Sequence, residues 1–378
     1  MEKKVLIFYG SYGAGHYSAA CSIKEYIDMN YPNTKTQLVD CIEYISKHFN
    51  KITVKTYDKL SRQAPFAWKK LYYGSEKGPI LKISSATTHL LSIKLYKLIK
   101  KVSPDLIIST HFFASEMCTV LKKRGKLNCK IATVLTDYAP HGQWLVNHEF
   151  IDMFFVAHAG MRETLKNYGV DISKVYATGI PLANKFLVSY DAETTYKEYK
   201  LDSSKTTILF FAGGSSHVSK NTTANLFKDL VNTSLDIQLL VITGKSRRLK
   251  EEFDKIVEEN NCKENIKVLG FTTQVPQLMN ISDLVITKPG GLTTTESLSF
   301  GLPIIAIDPI PGQEEENAQY LEKNGAGIWL KKNDNINNIL KDLLTHPNKL
   351  QKMKNNSLKI AKPDSTKDIC KILFEFKN

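Results

Sequence analysis

The chain has 378 residues, 42% hydrophobic and 24% charged, which is enough for two domains with sizeable cores. Its six cysteines (Cys21, Cys41, Cys118, Cys129, Cys262 and Cys370) include no Cys-x-x-Cys pair, which speaks against a zinc site or a disulfide framework and for a reducing compartment. The net charge of +13 is concentrated: between Lys47 and Lys101 thirteen Lys and Arg stand against only Asp58 and Glu76, which describes one basic face rather than the global bias of a nucleic-acid binder.

The first residues enter an apolar run directly, leaving no room for a signal peptide, and no apolar run approaches the roughly 20 residues a membrane span requires. The expectation is a cytoplasmic protein, soluble or peripheral to a membrane. Strands are predicted at 4–9, 36–40, 105–109, 130–135 and 153–157, with helical segments between them. This is the alternation of a parallel α/β sheet. A polar stretch then reads as a linker, 186–205, and a second series of strands opens with "TTILFFAGGSSH" and continues at 238–243, 266–269, 284–287 and 303–307. The expected fold class is therefore α/β, with two Rossmann-like domains facing each other across a cleft. The first covers 1–185 and the second 206–355, and a C-terminal helix, 356–378, packs back on the first.

The first strand ends in the glycine-rich turn "GSYGAGHYSAA", with Gly10, Gly13, Gly15 and then His16. A P-loop would need a lysine where His16 stands, and the third glycine of a dinucleotide fingerprint is missing, although Asp40 is placed roughly as the acid of such a motif. Two readings remain. Either the turn brings a ligand to the helix N-terminus and projects His16 into the cleft, or it is a packing turn whose histidine bonds locally.

The second domain carries the more informative stretch, "DLVITKPGGLTTTESLSFGLPIIAIDPIPGQEEENA". Here a strand, the turn Lys288-Pro289-Gly290-Gly291, a helix and another strand follow one another. Glycine amides and a helix N-terminus suit an anion. Glu296, about one turn into the helix, suits a ribose diol better than a diphosphate, because like charges repel. The loop after the next strand offers Gln313, Glu314, Glu315, Glu316 and Asn317 for sugar hydroxyls, or simply a solvated acidic helix start.

"GAGHYSAA", "TDYAPHGQW", "FFAGG", "GFTTQVPQLMNISDLVITKPGGLTTTE" and "PGQEEENA", in this order along nearly the whole chain, resemble the GT-B glycosyltransferases that put sugar onto diacylglycerol. These are the bacterial processive diacylglycerol glucosyltransferases and the plant monogalactosyldiacylglycerol synthases. The resemblance implies a GT-B fold and inverting transfer of a hexose, glucose or galactose, from a UDP-sugar to the 3-hydroxyl of 1,2-diacylglycerol, with one or more sugars added. It implies that Phe271 and the loop to Val275 hold the uracil, and that Gly213, Gly214 and Ser215 with Gly290, Gly291, Leu292 and Thr293 cradle the diphosphate. Glu296 would bind the ribose, and Gln313 and Glu314 the donor sugar. His16 would lie on the acceptor side as first choice of general base, with Asp137 second or orienting it; His141 reads as a packing histidine. No Asp-x-Asp motif is evident, so no metal and no cofactor beyond the donor is expected.

Lys47, Lys51, Lys55 and Lys59 recur every four residues, and Trp68, Lys69 and Lys70 follow among Phe66, Leu71, Tyr72 and Tyr73. A lysine stripe alone is usually a solvated helix face. With nearly all the excess charge and these aromatics gathered here, the expectation is docking on an anionic membrane, the inner face of the cell membrane. A lipid-linked N-acetylglucosaminyltransferase of cell-wall synthesis and a UDP-sugar 2-epimerase remain as alternatives on the same plan. So does a sugar-nucleotide sensor, which would not require His16.

Overall fold

The structure is a computed structural model, and it describes residues 2–11, 13–75, 79–213 and 220–375. Among the described residues twelve strands form two parallel sheets of six, each flanked by helices. The first sheet holds β1 (Lys3–Tyr9), β2 (Thr34–Asp40), β3 (Leu106–Ser109), β4 (Lys130–Val134), β5 (Met153–Phe155) and β6 (Val175–Tyr176), in the order β2-β1-β3-β4-β5-β6. The second holds β7 (Thr206–Phe211), β8 (Ile237–Ile242), β9 (Ile266–Leu269), β10 (Leu284–Thr287), β11 (Ile304–Ala306) and β12 (Gly327–Trp329), in the order β12-β11-β10-β7-β8-β9. Most strands are rich in Val, Ile, Leu and Phe, as a sheet covered on both faces demands, and the edge strand β2, TKTQLVD, is the polar exception. The two Rossmann-like halves read from the sequence are present.

Both sheets reverse their winding next to the first strand, and ligands bind outside the carboxyl ends of the strands at such a switch point. In the first sheet the switch lies between β1 and β3, paired through Phe8 and Ser109. The residues beyond it are the 10–16 turn and Thr110 to Phe113. In the second sheet it lies between β7 and β10, paired through Phe210 and Ile286, and the described residues beyond it are Ala212, Gly213 and the turn starting at Lys288. Strand order alone thus marks one candidate site on each sheet.

The chain divides into two compact units. The first comprises Met1–Asn184, Ile310–Glu316 and Lys362–Asn378; the second comprises Lys185–Pro309 and Asn317–Ala361. The first unit's sheet is buried on both faces. Leu6, Phe8, Ile107 and Ile131 pack on one side with Met117 and Leu95. On the other, Val5, Ile7, Ile108 and Val134 pack with Ile23, Ile27 and, from the C-terminal helix Ser365–Glu375, Ile369, Cys370 and Leu373. Phe374 of that helix stacks on Tyr31 at 3.9 Å between ring centroids. The stretch 186–205 carries a helix of the second unit, Ala192–Tyr199, whose N-cap is the Asp191 carboxylate. Tyr196 donates from its hydroxyl to the Ile281 carbonyl at 3.0 Å, tying the helix down.

Candidate active site

His16 lies one residue into the helix Gly15–Asn30, at the switch point of the first sheet. Its Nδ1 is 2.6 Å from the Thr110 carbonyl oxygen. A carbonyl only accepts, so Nδ1 carries the proton and Nε2 the lone pair. The Thr136 hydroxyl oxygen lies 3.0 Å from the same Nδ1. Thr110 binds the residue from both ends, because its own hydroxyl donates to the His16 carbonyl at 2.8 Å. Burial pushes the imidazole pKa down to about 4, against the opposing effect of the Thr110 bond. The ring is therefore neutral at pH 7, in the tautomer that leaves Nε2 able to take a proton.

A cavity of about 390 Å³ opens beside this ring, walled by the first unit alone. Phe112, Phe113 and Trp144 line one side, and Tyr57, Leu60, Trp68, Leu71 and Tyr72 line another. These last five come from the helices Lys47–Gln63 and Pro65–Gly74. Asp137, half-buried, also lines it. Such a chamber, largely aromatic and aliphatic, with the carboxylate of Asp137 and the imidazoles of His16, His111 and His141 on its lining, suits an apolar molecule that presents a hydroxyl. His141 lines the cavity too, but both of its nitrogens are engaged. Nδ1 accepts from the Gln143 amide at 3.2 Å, so Nε2 carries the proton and donates to the Tyr72 carbonyl at 3.0 Å.

The stretch Ile310–Glu316 folds against the Pro65–Gly74 helix within the first unit. Trp68 donates from Nε1 to the Pro311 carbonyl at 3.1 Å, and Lys69 meets Glu315 at 2.9 Å. Gly312 sits at φ +93°, and a Cβ there would run into the Tyr72 ring, so both conformation and space call for glycine. Gln313 donates from Nε2 to the Tyr57 hydroxyl at 3.1 Å and lines the cavity. Its buried Oε1 has no hydrogen-bond partner among the described residues. Glu314 is turned inward, and its carboxylate accepts from the Ile310 amide at 2.7 Å. The acidic run that the sequence offers to sugar hydroxyls is thus largely taken up in holding its own loop, and Gln313 is the member that reaches a cavity.

The second unit presents the other set. Gly290 is the N-cap of the helix Gly291–Ser299 and has no side chain to satisfy the amides of the first turn, so among the described residues no side-chain cap takes those of Leu292 and Thr293. Asn317, fully buried, donates from Nδ2 to the Pro289 carbonyl at 2.9 Å and pins the turn. Glu296 is half-buried on that helix, and no hydrogen bond holds its carboxyl among the described residues. Burial pushes its pKa up to about 7, with the Lys185 ammonium pulling the other way. Phe271 is 67% exposed, with the Lys245 ammonium 5.6 Å from its ring centroid, and Val275 begins the helix Val275–Asn280. Gly213 is demanded by space: a Cβ would collide with the Thr243 carbonyl. Its amide already donates to the Ile242 carbonyl at 3.1 Å, so Gly213 contributes room rather than a free donor. Gly214 and Ser215 lie outside the described residues.

Lys47, Lys51, Lys55, Lys59 and Lys70 are exposed. Each step of four residues advances about 40°, so the four-lysine stripe winds over about a third of the helix. Phe66 on the next helix is 83% exposed, with Leu71 and Tyr73 about half as much. Trp68, in contrast, turns inward to the cavity and the Pro311 carbonyl. Sequence reasoning missed Thr110, His111, Phe112, Phe113 and Thr136 around His16. The signal available was that "THFF" directly follows the predicted strand 105–109 and Thr136 the predicted strand 130–135.

Among the described residues no helix is long and apolar enough to cross a membrane. Residues 16–182 match the family model described as monogalactosyldiacylglycerol (MGDG) synthase, and residues 208–369 match that of the glycosyltransferase family 28 C-terminal domain. The chain is 33% identical to a processive diacylglycerol beta-glucosyltransferase of Staphylococcus epidermidis, over 99% of this chain and 93% of the relative. It is 31% identical to the protein of that name from Bacillus subtilis (strain 168), over 94% and 90%. Among solved structures, Acinetobacter baumannii MurG superposes with a TM-score of 0.64 at 14% identity, covering 99% of both chains. The S. aureus MnaA-UDP co-structure does so with 0.65 at 14%, covering 99% of this chain and 96% of that one. At such identities the likeness is one of fold.

Proposed function

The chain belongs to the diacylglycerol glycosyltransferase family, and on that premise we propose that it transfers a hexose from a UDP-sugar to the 3-hydroxyl of 1,2-diacylglycerol at a membrane surface. The observation that carries this reading is the cavity of the first unit, apolar in its walls, with the neutral His16 on its lining. A glycerolipid needs such a lining for its acyl chains and one base for its single hydroxyl.

The hydroxyl proton passes to His16 Nε2 while the lipid oxygen attacks the anomeric carbon. The bond from that carbon to the UDP oxygen breaks as the new one forms, which inverts the configuration. Thr110 and Thr136 hold the ring, and the Asp137 carboxylate, in the same cavity, stabilises the imidazolium that forms. The departing diphosphate is met by the uncapped amides after Gly290 and the dipole of their helix. Glu296 accepts from the ribose diol, and Gln313 offers its unpartnered Oε1 to a sugar hydroxyl. The exposed lysines of the Lys47–Gln63 helix attract anionic lipid, and Phe66 inserts beside them. A product glycolipid returning to the same cavity would receive further sugars in turn.

The test is incubation with labelled UDP-glucose and, separately, UDP-galactose over vesicles containing dioleoylglycerol. Label in the organic phase, dependent on dioleoylglycerol, supports the reading. Label confined to water-soluble sugar, or an epimerised UDP-sugar, overturns it.

A further inference from the structure

His111 directly follows the residue that grips His16, and it is 1% exposed. Its imidazole stands edge-on to that of His16, with ring centroids 4.7 Å apart and planes at 82°. Phe112 stacks on it at 4.5 Å. A Cβ at Gly10 would come within 2.9 Å of the His111 ring carbons, although the Gly10 backbone is not in the left-handed region. The first glycine of the opening turn is therefore small to admit this ring. His111 Nδ1 accepts from the Phe113 amide at 3.2 Å and so caps the helix Phe112–Lys123. Its nitrogen thus has a structural use, and its ring face has another.

We infer that His111 is a positioning residue for His16: its ring, seated over Gly10, fixes the His16 imidazole edge-on so that Nδ1 stays on the Thr110 carbonyl and Nε2 stays aimed at the acceptor cavity. This rests on the reading of His16 as the general base. Thr110 and Thr136 fix one nitrogen but leave the ring able to swing about that bond; His111 blocks the swing from the side. A proton on His111 would also repel one on His16. The other titratable groups that face the cavity with His16 are Asp137 and His141, beyond β4, and Tyr57 and Tyr72 of the two helices opposite.

The two uses of His111 separate by substitution. Asn is a good helix cap, so His111→Asn keeps the acceptor for the Phe113 amide and deletes the ring. Gly10→Ala leaves His111 chemically intact and presses a methyl group against its ring. Both variants are followed by nitrogen-15 NMR of the histidine side chains in the full chain and by turnover against pH. In the wild type, His16 holds the Nδ1–H tautomer at pH 7. In both variants that tautomer becomes mixed and the titration of His16 moves up towards the ordinary histidine value. Turnover falls on the order of 10²-fold in both variants, the effect of misaiming a catalytic group by about 1 Å, and in Gly10→Ala, which deletes no group from the cavity lining, the KM for diacylglycerol is little changed. An unaltered His16 tautomer and titration in a folded His111→Asn or Gly10→Ala protein overturns the inference, leaving His111 as a helix cap. If the wild type transfers no sugar to lipid yet the tautomer is lost in the variants, the proposed function fails while the positioning stands.

Discussion

Replacing His16 with alanine should remove the base and leave the donor side untouched. The ring is neutral at pH 7 because burial holds its pKa near 4; at three units above that value about one molecule in a thousand carries the proton. Turnover should therefore be flat across the neutral range on account of this residue, with an acid limb only well below pH 6. His16→Ala should lower turnover by roughly 10²–10⁴-fold. Binding of UDP should barely change, since the residues assigned to the nucleotide belong to the second unit. The same group leaves a mark on stability. Its folded pKa lies below its ordinary value of 6.5, so the unfolded chain takes up the proton first. The neutral ring's contribution is complete above pH 6.5 and is lost as the pH falls towards 4, about 3 kcal/mol in all. The assays are steady-state transfer in mixed micelles from pH 5 to 9, calorimetry with UDP, and denaturant unfolding at pH 4.5 and 7. A His16→Ala protein with near-wild-type turnover would refute the assignment and move the base to Asp137. An acid limb centred near 6.5 would refute the account of the ring's burial.

Other outcomes follow from the same sites. Glu296→Gln should weaken UDP binding by roughly 1.5–3 kcal/mol, the worth of a charge-assisted bond to the ribose. In the wild type that affinity should drop as the pH falls through about 7, where the carboxylate gains its proton and loses an acceptor; calorimetry finding equal affinity in both proteins would remove Glu296 from the site. Replacing Lys47, Lys51, Lys55 and Lys59 with glutamine should cut binding to anionic vesicles by up to about 10³-fold at roughly 1 kcal/mol per lysine, and activity on detergent-dispersed acceptor should survive; sedimentation with vesicles that shows no loss would return the stripe to a solvated face. EDTA should leave transfer largely intact, and loss of turnover restored by magnesium or manganese would reveal a metal requirement.

Most of the strands announce themselves as runs rich in Val, Ile, Leu and Phe, while β2, TKTQLVD, offers only Leu38 and Val39. β6 and β12 span two and three residues and have no run to notice. The 186–205 stretch reads as polar because its helix buries little. Tyr196 and Tyr199 at a spacing of three were the available sign of a packed face, and both hydroxyls find partners near the Val275–Asn280 helix. His16 is legible because a histidine behind three glycines is unusual. Thr110 and His111 are not, because their importance depends on β3 lying next to β1, and strand order is not written in any one segment. The "PGQEEENA" stretch marks a sugar site by resemblance, but only the fold reveals that Glu314 serves its own loop and that Trp68 faces the loop rather than solvent. Nothing local foretells Lys185 beside Glu296, over 100 residues away in sequence.

The claim on which the account turns is that the acceptor lipid occupies the first unit's cavity with its hydroxyl at His16. A diacylglycerol carrying a diazirine on one acyl chain, irradiated with the protein and followed by peptide mass spectrometry, tests it directly. Adducts should appear on peptides containing Phe112 and Phe113, Trp144, or Leu60 and Leu71, suppressed by unlabelled diacylglycerol. Competed adducts found only on peptides that contribute nothing to this cavity would contradict it.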